Sequence, residues 1–279
     1  MNRRRKDVTP ELPWVVISDL HVGCGMAIMP PDFMGDNGQP IPPSPIQAKL
    51  YERWQNGFWP WVREQCPDGF NVIVNGDLID GVHHSATTQW THNILYQRRA
   101  CIQLLRPVRD EAKRFIVVRG TESHVGQSGE HDEAIAEALG AEKSKAGTWS
   151  HWEVFLRFGG KLVHVAHHIG GTSSPFAKSS ALQRQIALSY VNSGRWGDEP
   201  PVMFVRSHRH QCSWVGEPCR HGIVTCVVTP PWQMKTPYVH RMALMSEPEY
   251  GGIVLFAGDN GVYQKPWVER VERPEEVLP

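Results

Sequence analysis

The chain alternates short β-branched apolar runs with longer stretches whose apolar residues recur every three or four positions, and several of the short runs stop at an acid or a histidine. Trp14-Val15-Val16-Ile17 ends at Ser18-Asp19-Leu20-His21, where an acid and an imidazole stand two residues apart. So compact a run reads as a strand covered on both faces, and in open α/β sheets ligands gather beyond the carboxyl ends of such strands. The same reading predicts a strand over 70–74 leading into Asn75-Gly76-Asp77-Leu78-Ile79-Asp80, and one over 115–118 leading into Arg119-Gly120-Thr121-Glu122-Ser123-His124. Segments 152–158 and 161–166 flank Gly159-Gly160, a two-residue hairpin signal, and the second runs straight into His167-His168. A strand over 202–205 leads into Arg206-Ser207-His208-Arg209-His210, and further strands are predicted over 223–228, over 252–256 and around Val262.

Helical spacing over 46–65 puts Leu50, Trp54, Phe58 and Trp61 on one face, the arrangement of core packing rather than of a base-stacking platform, with Gly57 and Pro60 bending the helix. Further helices are predicted from just past His92 to about Arg106, stopped by Pro107, over 130–139, closed by Gly140, and over 177–191. Segment 24–45, which carries Pro30-Pro31 and Pro42-Pro43, reads as a long irregular loop leaving the ligand edge, either a lid or substrate flap or a plain surface excursion. With no internal repeat and no linker, 1–279 reads as a single α/β domain, and the charged tail from about Glu269 is expected to be loosely attached.

Composition narrows the function classes. The chain has 279 residues with 29 basic and 29 acidic side chains, so no whole-molecule field argues for a polyanion or a membrane surface. Arg3, Arg4, Arg5 and Lys6 form a basic tip that reads as a frayed, solvated end. No stretch approaches the roughly 18 consecutive apolar residues of a membrane span, and the N-terminus lacks the apolar region of a signal peptide, so a soluble, cytoplasmic protein is expected. Six cysteines are too few for a disulfide scaffold. Cys212, Cys219 and Cys226 beside His208, His210 and His221 invite a structural zinc reading, but without a Cys-x-x-Cys pair reduced cysteines are the better expectation.

Fourteen histidines would put one or two at strand ends by chance; several strand ends terminating in Asp or His point to a metal centre. Mixed carboxylate and imidazole donors suit Mn, Fe or Zn better than Ca or Mg, which favour oxygen shells.

The ordered series Asp19-x-His21, Gly76-Asp77, Gly120-Thr121-Glu122-Ser123-His124, strand-end His167 and His208-x-His210 resembles the calcineurin-like metallophosphoesterase superfamily, over residues 15–210. The resemblance implies a four-layer α/β/β/α sandwich with two mixed β-sheets, a dinuclear centre of divalent metal ions, with manganese favoured, and a phosphate-ester substrate. Carried over by position, Asp19, His21 and His210 hold one ion, Asp77 bridges, and His167 and His208 belong to the second. The family's Gly-Asn-His segment is replaced here by Gly120-Thr121-Glu122-Ser123-His124. Glu122 is read as the stand-in oxygen ligand and His124 as the histidine near the leaving group, with Thr121 or His124 as the alternative ligand. At the strand end His167 is preferred to His168 because it comes first.

These readings lead to a metal-dependent phosphoesterase, with a non-catalytic, metal-scaffolded binding protein as the rival. His83 and His84 after Asp77, Arg209 between two histidines, and Arg- and Trp-bearing loops favour a phosphodiester over a phosphomonoester substrate, with a nuclease acting on DNA or RNA as the leading form and these three residues touching the substrate. The neutral net charge argues the other way, since it provides no broad basic face.

Overall fold

The computed structural model describes residues 11–83, 87–170, 179–220, 222–241, 249–258 and 261–271. Its first half contains β1 (Trp14–Ile17), α1 (Pro45–Arg53), a π-helical turn (Trp54–Phe58), α2 (Trp59–Gln65), β2 (Asn71–Asn75), α3 (Ile94–Glu111), β3 (Phe115–Val118), α4 (Glu122–Val125) and α5 (Glu130–Leu139). There follow β4 (Glu153–Phe158), β5 (Lys161–Ala166), α6 (Ser180–Trp196), β6 (Met203–Arg206), β7 (Ser213–Cys219), β8 (Gly222–Val228), α7 (Pro237–Arg241), β9 (Glu249–Gly258) and β10 (Gly261–Arg270).

The strands form two five-stranded sheets, ordered β10-β9-β1-β2-β3 and β4-β5-β6-β8-β7. Both are mixed. In the first, β1, β2 and β3 run parallel, β9 is antiparallel to β1, and β10 is antiparallel to β9; in the second, β5, β6 and β8 run parallel with antiparallel β4 and β7 at the edges. Side-chain alternation assigns the layers. Trp14 and Val16 of β1, with Ile73, Ile116 and Val118, meet Val163, Val165, Met203, Val205 and Val227 of the other sheet in a core between the sheets. Val15 and Ile17 point the opposite way, into a core with Trp54, Phe58, Leu104 and Ile135 from the helices. Leu182 and Ile186 of α6 close the far side over Phe204, Val224, Cys226 and Val228. Helix, sheet, sheet, helix is the expected four-layer sandwich, and β1 and β3 are apolar throughout because both of their faces are covered.

Several predicted boundaries shift for identifiable reasons. The helix over 46–65 contains a π-helical turn just ahead of Pro60, which lacks the N–H an α-helix needs. The extra residue rotates the buried face, so Trp59 and Val62 join Trp54 and Phe58 in the core while Trp61 is half-buried. Pro107 does not stop α3, which continues to Glu111. Leu104 and Leu105 before the proline and Val108 after it enter one core, and that shared burial outweighs a missing hydrogen bond. Helix α6 runs on to Trp196, and β7 went unread because its exposed and half-buried residues alternate around Gly216 and Pro218.

Of the tail expected to be loose, only 269–271 are described, and the rest lies outside the described residues. Glu269 lies in β10, accepts a hydrogen bond from Arg53 Nε at 2.7 Å and another from the Tyr250 hydroxyl at 2.8 Å, and is thereby tied to α1 and β9. Segment 24–45 is irregular but anchored rather than free. Ala27, Ile28, Met29 and Phe33 are buried, and Ile28 N–H donates to the Trp232 carbonyl at 3.1 Å. The six cysteines are free thiols, and among the described residues none of them belongs to a cluster of metal donors. The basic tip, His84, Ala177, His221 and 272–279 lie outside the described residues.

Candidate metal centre

Strands from both sheets end at one place. The turn after β1 carries Asp19 and His21, the turn after β2 carries Asp77 and Asp80, Thr121 and His124 follow β3, His167 follows β5, and His208 and His210 follow β6. Asp19, His21, Asp77, His208 and His210 are the only non-glycine residues among those described with positive φ, between 42° and 71°. Left-handed backbone costs a residue with a Cβ about 1–3 kcal/mol and persists only where the surroundings enforce it. Five such residues at one spot turn five side chains inward from chains that would otherwise pass each other.

Beneath these turns, short polar side chains at the strand ends link the sheets. Ser18 Oγ lies 2.6 Å from Thr229 Oγ1, which lies 2.7 Å from Ser207 Oγ, and Asn75 Nδ2 donates to Ser207 Oγ at 2.6 Å. Each of Ser18, Asn75 and Ser207 stands one or two residues before a ligand candidate, a pattern visible in the sequence but not read from it. Glycine makes the approach of two turns feasible. A Cβ on Gly120 would lie 2.1 Å from Asp77 Oδ1, and one on Gly76 would lie 2.4 Å from His167 Nδ1.

Among the described residues four groups of donors come together; two of them, His21 with Asp77 and His124, and Asp80 with His83 and His124, share His124 at the rim, and the other two make up the centre. Asp19, His21 and His210 form one, with His210 Nε2 3.3 Å from Asp19 Oδ1 and 3.1 Å from His21 Nε2. Asp77, His167 and His208 form the other, with Asp77 Oδ2 3.0 Å from His167 Nε2 and 4.0 Å from His208 Nδ1. Asp77 Oδ2 also stands 3.8 Å from His21 Nε2, so one carboxylate oxygen faces both sets. Its Oδ1 accepts the Thr121 N–H at 2.6 Å.

The donors fit divalent cations. Asp19 is fully buried and its Oδ1 has no hydrogen-bond partner, although the Nε2 atoms of His21 and His167 lie 4.0 Å away and that of His210 lies closer. A buried carboxylate oxygen ringed by imidazole nitrogens is an arrangement a cation completes. His167 Nδ1 donates to the Asn75 carbonyl at 2.6 Å, which directs Nε2 to the centre as a ligating histidine requires. Behind His21, Asp80 Oδ1 lies 3.3 Å from Nδ1 and orients that ring. Asp80 was not singled out from the sequence, although it closes the Gly-Asp-x-x-Asp segment.

Charge follows from these contacts. Burial opposes ionisation of Asp19 and Asp77, yet the imidazoles win: His210 and His167 hold Asp19 down to about 2, and His167, His208 and His21 hold Asp77 well below the usual carboxylate range. Burial disfavours charge on His167 as well, but Asp77 and Asp19 raise it to about 10. Burial, with His21 beside it, pushes His124 down to about 4. His124 Nδ1 donates to the Asp80 carbonyl at 2.7 Å, so in the neutral ring Nε2 is an acceptor.

The remaining predicted residues fall as follows. Glu122 is exposed at the first turn of α4 and belongs to none of the donor sets. Thr121 takes the position expected of Glu122: its Oγ1 lies 3.0 Å from His208 Nδ1, 3.2 Å from Asp77 Oδ2 and 3.3 Å from His167 Nε2. The physical reason is direction. Thr121 is the last extended residue before α4, facing Asp77, whereas helical Glu122 turns outward. His168 is exposed and its ring lies beside His208, leaving His167 at Asp77. His83 reaches the rim, with Nε2 3.5 Å from Asp80 Oδ1 and its ring 4.4 Å from that of His124. The half-buried Arg209 donates to the Gly170 carbonyl.

No family model matches the sequence, and no curated protein matches it. Solved structures similar to the chain include vacuolar protein sorting 29 from Cryptosporidium parvum, with a TM-score of 0.38 and 11% identity, covering 94% of this chain and 100% of that one. A metallophosphoesterase from Sphaerobacter thermophilus has a TM-score of 0.38 and 10% identity, covering 94% and 90%. A hypothetical protein from Pyrococcus horikoshii OT3 has a TM-score of 0.44 and 8% identity, covering 92% and 88%. Similarity at these levels bears on no activity, and the four-layer architecture stands on the strand order and the three cores. Among the described residues no helix is long and apolar enough to cross a membrane.

Proposed function

We propose that the protein is a metal-dependent phosphoesterase whose two donor sets hold two divalent ions, Mn, Fe or Zn. The observation that supports this most is Asp77: Oδ1 is occupied by Thr121 N–H, while Oδ2 faces His21 on one side and His167 and His208 on the other. A shared carboxylate is what two nearby dications need, because they repel unless an anion lies between them. Asp19, His21 and His210 would hold one ion, and His167, His208 and the Thr121 hydroxyl the other. Bound there, the ions supply Lewis acidity toward a phosphate ester and lower the pKa of water.

The chain's own groups do the rest. Asp80 fixes the His21 ring, and the Asn75 carbonyl fixes that of His167. Neutral His124 presents Nε2 as an acceptor, so it orients a water or a substrate hydroxyl and protonates a leaving oxygen only after taking up a proton itself. His83 and His168 add further imidazoles around the centre.

The imidazole-rich surroundings favour a phosphodiester. A diester carries one negative charge where a monoester carries up to two, and the nearby Arg119 is turned away to Ser150 and Glu133. DNA or RNA fits that class, with His83, His84 and Arg209 as candidate contacts. The test compares bis(p-nitrophenyl) phosphate with p-nitrophenyl phosphate under added Mn. Faster turnover of the diester, abolished in Asp77→Asn, is expected. Preference for the monoester, with DNA binding that is absent or insensitive to salt, overturns the diester assignment. No turnover of either by metal-loaded protein gives the non-catalytic reading its place.

A further inference from the structure

We infer that Asp132, on α5 and outside both donor sets, is a positioning residue that locks Asp77 in the orientation serving both ions; this rests on the metal-centre reading above. Asp132 is fully buried, unlike Glu130, His131 and Glu133 beside it. Its Oδ2 accepts the Gly120 N–H at 2.9 Å; burial, with the Asp77 charge nearby, pushes its carboxyl up to about 7, while the Gly120 and Leu78 backbone groups work the other way. Gly120 directly precedes Thr121 and Leu78 directly follows Asp77, so one side chain bears on both ligand turns. The link to the centre is short. Asp132 holds the Gly120 peptide against Asp77, the next N–H, that of Thr121, donates to Asp77 Oδ1, and Oδ2 is left for the ions. Asp132 Oδ1 is buried with no hydrogen-bond partner, an arrangement that is costly for the fold alone and is explained by a carboxyl retained for what its other oxygen holds.

A neighbouring contact provides the control. Glu133 accepts from Arg119 Nη2 at 3.1 Å, from Trp149 N–H at 2.8 Å and from Ser150 N–H at 2.9 Å, bracing the same α5 end without touching Asp77, Gly120 or Thr121. The experiment measures Mn affinity by calorimetry and the rise in melting temperature on adding Mn, for wild type, Asp132→Ala, Asp132→Asn and Glu133→Gln. Asp132→Ala is expected to weaken Mn binding about tenfold or more and to shrink the Mn-induced rise, as loss of a ligand-orienting contact does. Asp132→Asn keeps an oxygen for Gly120 and is expected to restore most of the affinity. Glu133→Gln is expected to lower the melting temperature of the protein while leaving Mn affinity unchanged. Unchanged affinity in Asp132→Ala, or a loss in Glu133→Gln that matches it, overturns the inference. Wild-type protein that binds no Mn fails at the metal centre instead, a different and recognisable outcome.

Discussion

The two donor sets that meet at Asp77 are built unequally. Asp19 and His21 leave β1, the middle strand of its sheet, and both are buried, with an unpartnered Asp19 oxygen aimed at the shared space. The other set has only Asp77 as carboxylate, draws a neutral hydroxyl from Thr121, and includes a His208 side chain that is 40% exposed. A site with its own buried carboxylate gains more from a cation than one that borrows a shared carboxylate and a hydroxyl. The ions should therefore load in order, the Asp19 set first.

The largest effect expected is at the shared residue. Asp77→Asn should remove most bound metal as read by elemental analysis, whereas His210→Ala should remove about one equivalent. Small, equal losses in both variants would show that Asp77 is not shared. Next comes the order of loading. With Co as a spectroscopic probe, His208→Ala should leave the tighter of two binding phases intact, and loss of the tighter phase would reverse the ranking. A smaller change is expected at the hydroxyl: Thr121→Val, which keeps the N–H to Asp77, should weaken only the second ion, by about tenfold, with Glu122→Gln unchanged. A metal defect in Glu122→Gln alone would return the ligand role to Glu122.

The gentlest test is pH. By the protein groups alone His167 is held up to about 10, so at neutral pH a cation must displace a proton from it. The sign follows: acid competes with the metal, and apparent affinity should rise about tenfold per pH unit below that value for a single displaced proton. Affinity independent of pH between about 6 and 8 would mean that His167 is no ligand.

What the sequence made legible here has a physical pattern. Strands β1, β2, β3 and β6 were readable because burial on both faces forces compact apolar runs, and β4 and β5 because buried positions alternate along them on either side of Gly159-Gly160, whose turn requires glycine. Strand β7 was not, since none of its residues is buried and Gly216 and Pro218 interrupt its run. At the site, residues whose chemistry is unusual for their place stood out, such as Asp19 and His21 after an apolar run. Thr121 and Glu122 could not be separated by spacing, because the choice depends on where α4 begins, a matter of backbone direction. Asp80 and Asp132 were missed for another reason: each acts through a neighbour, and nothing in a carboxylate's local sequence says what stands behind it.

The left-handed backbone at Asp19, His21, Asp77, His208 and His210 bears on how this protein would respond to selection. At each of these positions glycine, which adopts positive φ freely, would relax the chain and remove the residue that gives the place its chemistry. A mutant library screened only for heat resistance should therefore drift toward glycine or asparagine at these five positions and yield sturdy proteins that no longer hold metal. The same screen run with Mn present should keep the aspartates and histidines, because the ion then rewards the conformation that the bare chain resists.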